Sequence, residues 1–139
     1  MNDSARMALL PNGLRDILPP HAEHEAGVLA ALCACFASRG YDRVEPPMVE
    51  FEDALLQGGG DIASQTFRLM DPVSQRMMGL RADMTPQIAR IATTRLHKAP
   101  RPLRLSYAGS VLRVKGAQLR PERQFAQAGI EIIGADEDT

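Results

Sequence analysis

A few polar positions in the second half of the chain have the residue types and spacing to hold a charged small molecule. Asp83 and Thr85 lie two apart in the run Leu80-Arg81-Ala82-Asp83-Met84-Thr85-Pro86-Gln87. A carboxylate at Asp83 can accept an ammonium group, because a charge taken out of water needs an opposite partner. Thr85 can share that task, or it can be only a helix cap, being a hydroxyl residue followed by proline. Gln127 and Glu131 lie four apart in Arg123–Ile133, with Gly129 between them. In a strand, residues two apart share a face, so Phe125, Gln127, Gly129 and Glu131 project together. The glycine leaves room for something to approach the backbone. Such a face suits a ligand, and equally a solvent-facing strand surface; pattern alone does not choose. Arg113 precedes this strand by one loop. Its guanidinium can clamp a carboxylate or phosphate, or pair with Glu131 across the hairpin.

These residues need elements to carry them. A helix is expected over His21–Arg39, since Val28, Leu29, Leu32 and Phe36 recur at helical spacing. Gly40 stops it and Tyr41 folds back over its last turn. Arg43–Phe51 alternates in part but contains Pro46 and Pro47, which mark an edge, a bulge or an interface strand. The glycines Gly58–Gly60 within Leu55–Ser64 read as a flexible loop; without a following Gly-Lys-Ser/Thr they are no phosphate-binding P-loop. Thr66–Met70 and Arg76–Arg81 read as short strands joined by a turn at Asp71-Pro72. A helix starts at Thr85-Pro86, with Ile88, Ile91, Ala92 and Leu96 as its apolar stripe. Leu103–Lys115 and Arg123–Ile133 form a long antiparallel hairpin. On the second strand, Gln124, Ala126, Ala128, Ile130 and Ile132 make the more apolar face, the one suited to packing on helices. The class is α+β: an antiparallel sheet flanked by helices on one side. Residues 1–12 read as a loose terminus and 13–139 as one folded unit.

Composition limits the functions available. The chain has 139 residues and a formal net charge of −1, so the basic footprint of a nucleic-acid-binding domain is absent. Arg95, Lys98, Arg101 and Arg104 form a local basic cluster, read as a solvated helix end in preference to a nucleic-acid contact. Cys33 and Cys35 lie two apart on a helix and point apart; buried free thiols are expected, with no disulfide and no oxidising compartment. His21 and His24 share a helix face but lack a third ligand, so no metal is expected; His97 stands alone near a helix end. No apolar run reaches the roughly 18 residues of a membrane helix. The expectation is a cytoplasmic protein with no membrane contact.

Taken in order, these segments resemble the histidyl-tRNA synthetase family, a branch of the class II aminoacyl-tRNA synthetases, from about Pro11 to Gly134. Gly13-Leu14-Arg15-Asp16-Ile17-Leu18-Pro19 looks like its N-terminal signature. The first long helix with Gly40-Tyr41 and Val44-Glu45-Pro46-Pro47 resembles motif 1. Leu80–Thr85 takes the place of a Leu-Arg-Pro-Glu-x-Thr segment. Tyr107–Arg113 and Arg123–Glu131 resemble motif 2. The resemblance implies a homodimer with Pro46 and Pro47 at its interface. It also implies histidine held by Asp83, Thr85, Gln127 and Glu131, with Arg113 meeting the amino-acid carboxylate or the ATP α-phosphate.

The departures fall mostly on the ATP side. Lys115 stands where the family has an adenine-holding glutamate two residues after the motif 2 arginine. Pro121 stands in the loop where an arginine is aligned, Ala82-Asp83 replaces Pro-Glu, and Ala126 replaces a histidine. The pattern fits the regulatory paralogues of the family. These catalyse nothing themselves, need no cofactor, and join a short-form ATP phosphoribosyltransferase catalytic subunit as hetero-oligomers in histidine biosynthesis. Asp83-Met84-Thr85-Pro86-Gln87 also has their look. The alternatives are a fragment of a divergent synthetase, which would activate histidine with ATP, and a structural dimerisation module. Motif 3 and the histidine-specific loop lie outside the chain, which is expected to be the N-terminal portion of the fold.

Overall fold

The computed structural model describes residues 3–7 and 9–135. In chain order the elements are α1 (Asp3–Met7), α2 (His21–Ser38), β1 (Asp42–Arg43), β2 (Val49–Phe51), α3 (Glu52–Leu55), a 3-10 turn (Leu56–Gly58), α4 (Gly60–Gln65), β3 (Arg68–Met70), β4 (Met77–Leu80), α5 (Thr85–Thr93), β5 (Leu103–Leu112) and β6 (Gln124–Ile133). Within the expected loose terminus, α1 is a short helix with no buried residue.

The strands form two three-stranded sheets, ordered β1-β5-β6 and β2-β4-β3. The β5–β6 hairpin is antiparallel throughout, from Leu103 opposite Ile133 to Leu112 opposite Gln124. β1 runs parallel to β5 on its other side. Opposed residues share a face, so Leu103, Leu105, Tyr107 and Val111 of β5 lie on the same side as Ile133, Glu131, Gly129 and Phe125 of β6. That side receives the segment leading into α5: Met84, Ile88 and Ala92 pack with those β5 residues into the core, with Phe125 and Ile133 at its margin. Ile88 and Val111 are fully buried, each contributing on the order of 1.5–3 kcal/mol by leaving water.

The other face meets α2, which contacts β5 and β6. Helices therefore lie on both faces of this sheet, not on one. The reason lies in β5: its apolar residues sit opposite the polar set of β6 and draw α5 onto that face. Ile130 and Ile132, on the face expected to be covered, are 42% and 47% exposed. α2 ends as expected: Gly40 takes φ +80, and Tyr41 N–H returns to Phe36 O at 3.1 Å. Cys35 is exposed and Cys33 half-buried, contrary to the expected buried thiols, because no residue of α2 is fully covered. Both thiols are free.

The Gly58–Gly60 region is helical instead of a loop. The 3-10 turn and α4 flank Gly59, whose φ of +117 breaks the path between them. Glycine supplies that angle without strain and so joins two short helical turns. Pro46 and Pro47 separate β1 from β2, two short strands in place of one. No helix among the described residues is long and apolar enough to cross a membrane.

Candidate functional site

Three elements converge beside the N-terminus of α5: the β4–α5 connection with Asp83 and Thr85, β5 with Tyr107, and β6 with Gln127 and Glu131. The connection is short because Met84, 1% exposed, anchors it in the core. Thr85 is not the cap of α5. The N-cap position falls on Met84, which has no side-chain cap bond. The orphan amides of the first turn are met from nearby instead: Asp83 Oδ1 accepts Thr85 N–H at 3.0 Å, and Gln127 Oε1 accepts Met84 N–H at 2.8 Å. The Thr85 hydroxyl is thereby left at the surface of the site.

Gln127 also donates from Nε2 to Asp83 Oδ1 at 2.9 Å. One amide thus joins the strand, the connecting backbone and the carboxylate. Burial pushes the Asp83 carboxyl upward. The donors on Thr85 and Gln127, with the Arg113 charge, outweigh that and hold it below the usual carboxylate range. Asp83 is therefore held as an anion.

Tyr107 links this end to Glu131. Its hydroxyl lies 3.5 Å from both Thr85 Oγ1 and Glu131 Oε1, long for an O–H···O bond. Burial raises the phenol above its ordinary range; the Thr85 hydroxyl opposes this, while the Glu131 and Asp83 charges add to it. The phenol stays neutral and can donate. The space over Gly129 is taken by Tyr107, not by a ligand: a Cβ on Gly129 would come 2.6 Å from the Tyr107 hydroxyl. Among the predicted residues, Asp83 and Gln127 are bonded to each other, and Thr85 and Glu131 flank the Tyr107 hydroxyl.

Arg113 stands at the other end and does not pair with Glu131. Glu131 is opposite Leu105, and Arg113 lies eight positions beyond Leu105, roughly 26 Å along an extended chain. Arg113 instead donates from Nε to Ala82 O at 3.3 Å and lies 5.1 Å from the Phe125 ring centroid. It lines a small pocket with Asp83 and a neighbouring one of about 280 Å³ with Lys115 and Arg120. A broader cleft of about 710 Å³ opens from Asp83 and Thr85 along α5, past Pro86 and Arg90.

Sequence reasoning passed over Tyr107. Its signal was its place on β5, where parity sets it on the core face. Of the expected interface prolines, Pro46 is buried and Pro47 exposed; the carbonyl of Pro46 accepts from Arg81 and that of Pro47 from Gln87. In the basic cluster, Arg101 donates to the carbonyls of Ala92, Leu96 and Ala99, and Arg104 to Arg39 O. Two of its cations therefore cap the C-terminal ends of α5 and α2. Among the described residues no group of His, Cys, Asp and Glu is arranged to hold a metal.

The family model for histidyl-tRNA synthetase matches residues 13–138. The ATP phosphoribosyltransferase regulatory subunit of Paramagnetospirillum magneticum is 70% identical over 99% of this chain and 36% of its own length. That of Rhodospirillum centenum is 67% identical over 94% of this chain and 34% of its own. The chain thus spans about a third of the length of these curated relatives. A solved ATP phosphoribosyltransferase regulatory subunit/histidyl-tRNA synthetase from Bacillus halodurans C aligns with a TM-score of 0.80 at 32% identity, over 94% of this chain and 33% of that one.

Proposed function

The chain belongs to the histidyl-tRNA synthetase family, and on that premise we propose that it is the N-terminal portion of a regulatory subunit of ATP phosphoribosyltransferase. In this reading it is not a catalyst. It supports the first step of histidine biosynthesis by joining a short-form catalytic subunit in the cytoplasm, and it forms a homodimer through Pro47 and the surface around it. Histidine is its ligand and the signal it relays, as a coupling between two sites.

The observation that carries the reading is the asymmetry of the site. The Asp83–Gln127 bond, Thr85, Tyr107 and Glu131 form an intact polar track suited to an ammonium group and a second N–H donor. At the Arg113 end, Lys115 and Arg120 line a pocket together with Glu122, and Lys115 stands where the resemblance to the synthetases implies an adenine-holding glutamate. A lysine gives the adenine amino group a donor where it needs an acceptor. The identity to relatives named as regulatory subunits supports the same conclusion.

Histidine-dependent ATP–pyrophosphate exchange by the full-length protein separates this from the synthetase alternative. The expected result is calorimetric histidine binding with no exchange above background. Histidine-dependent exchange would overturn the reading.

A further inference from the structure

The segment that carries Asp83 and Thr85 is anchored at both ends to the consecutive carbonyls of Pro46 and Pro47, by two buried side chains. On one side of Met84, Arg81 is 6% exposed. It donates from Nε to Ser110 O at 2.8 Å and from Nη1 to Pro46 O at 3.0 Å. The fork spans two backbone segments at once, a geometry that a lysine cannot copy. Gly109 makes room for it: a Cβ there would lie 2.5 Å from Arg81 Nη2.

On the other side, three residues past Met84, Gln87 is 1% exposed. Its Nε2 donates to Pro47 O at 2.7 Å and to Glu50 Oε2 at 2.5 Å. The second Glu50 oxygen lies 2.5 Å from Arg90 Nε. Gln87 Oε1 is buried with no hydrogen-bond partner. The two acceptors facing Nε2 fix the orientation despite that cost, because reversing the amide would set its oxygen against both the Pro47 carbonyl and the Glu50 carboxylate. The 81–87 segment therefore has little freedom to move relative to 46–50.

We propose that Arg81 and Gln87 are positioning residues. They hold Asp83 and Thr85 in the geometry that receives a ligand's ammonium group, and Gln87 does so through Glu50 and Pro47. The proposal rests on the reading of Asp83 and Thr85 as the ammonium-binding pair. Its physical ground is that a polar site works only when the groups behind it are locked to within about half an ångström.

The test uses the full-length protein and Gln87→Met, which keeps volume but removes the donor. Two ligands are titrated calorimetrically: histidine, and imidazolepropionate, which lacks the α-amino group. The expected result is a histidine Kd raised about tenfold, the order of one lost bond to a charged group, with the affinity for imidazolepropionate unchanged. Equal loss for both ligands, or no loss, would overturn the proposal. A second measurement needs no ligand. Hydrogen exchange at the Met84 and Thr85 amides should quicken about tenfold while β5–β6 ladder amides keep their protection. A uniform rise across the chain would mark general destabilisation and overturn the proposal. If the unmodified protein binds no histidine, the histidine reading falls, and the exchange result alone decides the positioning claim.

Discussion

Gln127 and Asp83 reach each other from different elements, and a single amide serves both the carboxylate and the backbone next to it. Gln127 Nε2 donates to Asp83 Oδ1 at 2.9 Å while Oε1 accepts Met84 N–H at 2.8 Å. Thr85 N–H adds a second donor to the same carboxylate oxygen. The site's charge is thus set by β6 and by the first turn of α5 together.

Replacing Gln127 removes both bonds. Gln127→Leu orphans Met84 N–H and strips Asp83 of one donor. Urea unfolding should show a loss of about 1–3 kcal/mol, accompanied by weaker histidine binding. A loss of stability with unchanged histidine affinity would place Gln127 outside the site.

Asp83 has a pH signature of known sign. Its folded pKa is depressed, below an unfolded value of about 3.9. The stability it contributes is therefore present above the unfolded value and lost as pH falls through the folded one. Unfolding of the unmodified protein and of Asp83→Asn, followed against pH, should differ by a constant amount above about pH 5, and the difference should shrink as pH falls below about 4 toward the depressed folded pKa. In the same variant, histidine affinity should drop at least about tenfold at neutral pH, because an ammonium loses its anion. A difference in stability that widens on acidification would contradict the geometry.

Two glycines make an internal contrast. Gly129→Ala places a Cβ against the Tyr107 ring and hydroxyl, and should cost about 1–3 kcal/mol as overpacking. Gly27 lies in α2 with nothing within 4 Å of an added Cβ, so Gly27→Ala should stabilise by about 0.5–1 kcal/mol through helix propensity. Thermal unfolding of the two variants should move in opposite directions.

Several local elements were legible: α2 with its Gly40 stop, and both long strands of the hairpin. So was the grouping of Gln127, Gly129 and Glu131 on one face, since strand parity requires it. Which partner that face meets was not legible. The residue alternation of β6 marks Ala126, Ala128, Ile130 and Ile132 as the apolar side. The neighbouring strand decides otherwise, by placing Leu105, Tyr107 and Val111 opposite the polar set. Gly58–Gly60 misled for a related reason: glycine permits a chain break between helical turns as readily as a loop. Arg113 and Glu131 looked like partners on a hairpin of unknown register; the observed register separates them along the strand. Tyr107 drew no notice because a tyrosine within an apolar strand looks like core until its hydroxyl is placed.

Under the proposed function, histidine bound at Asp83 and Thr85 governs a separate catalytic subunit. The direct measurement mixes the full-length protein with a short-form ATP phosphoribosyltransferase catalytic subunit and follows the rate with and without histidine. The expected rate is raised by the protein, lowered again by histidine, and indifferent to histidine when Asp83→Asn is used. No effect of the folded protein on the rate, or histidine inhibition that survives Asp83→Asn, would contradict it.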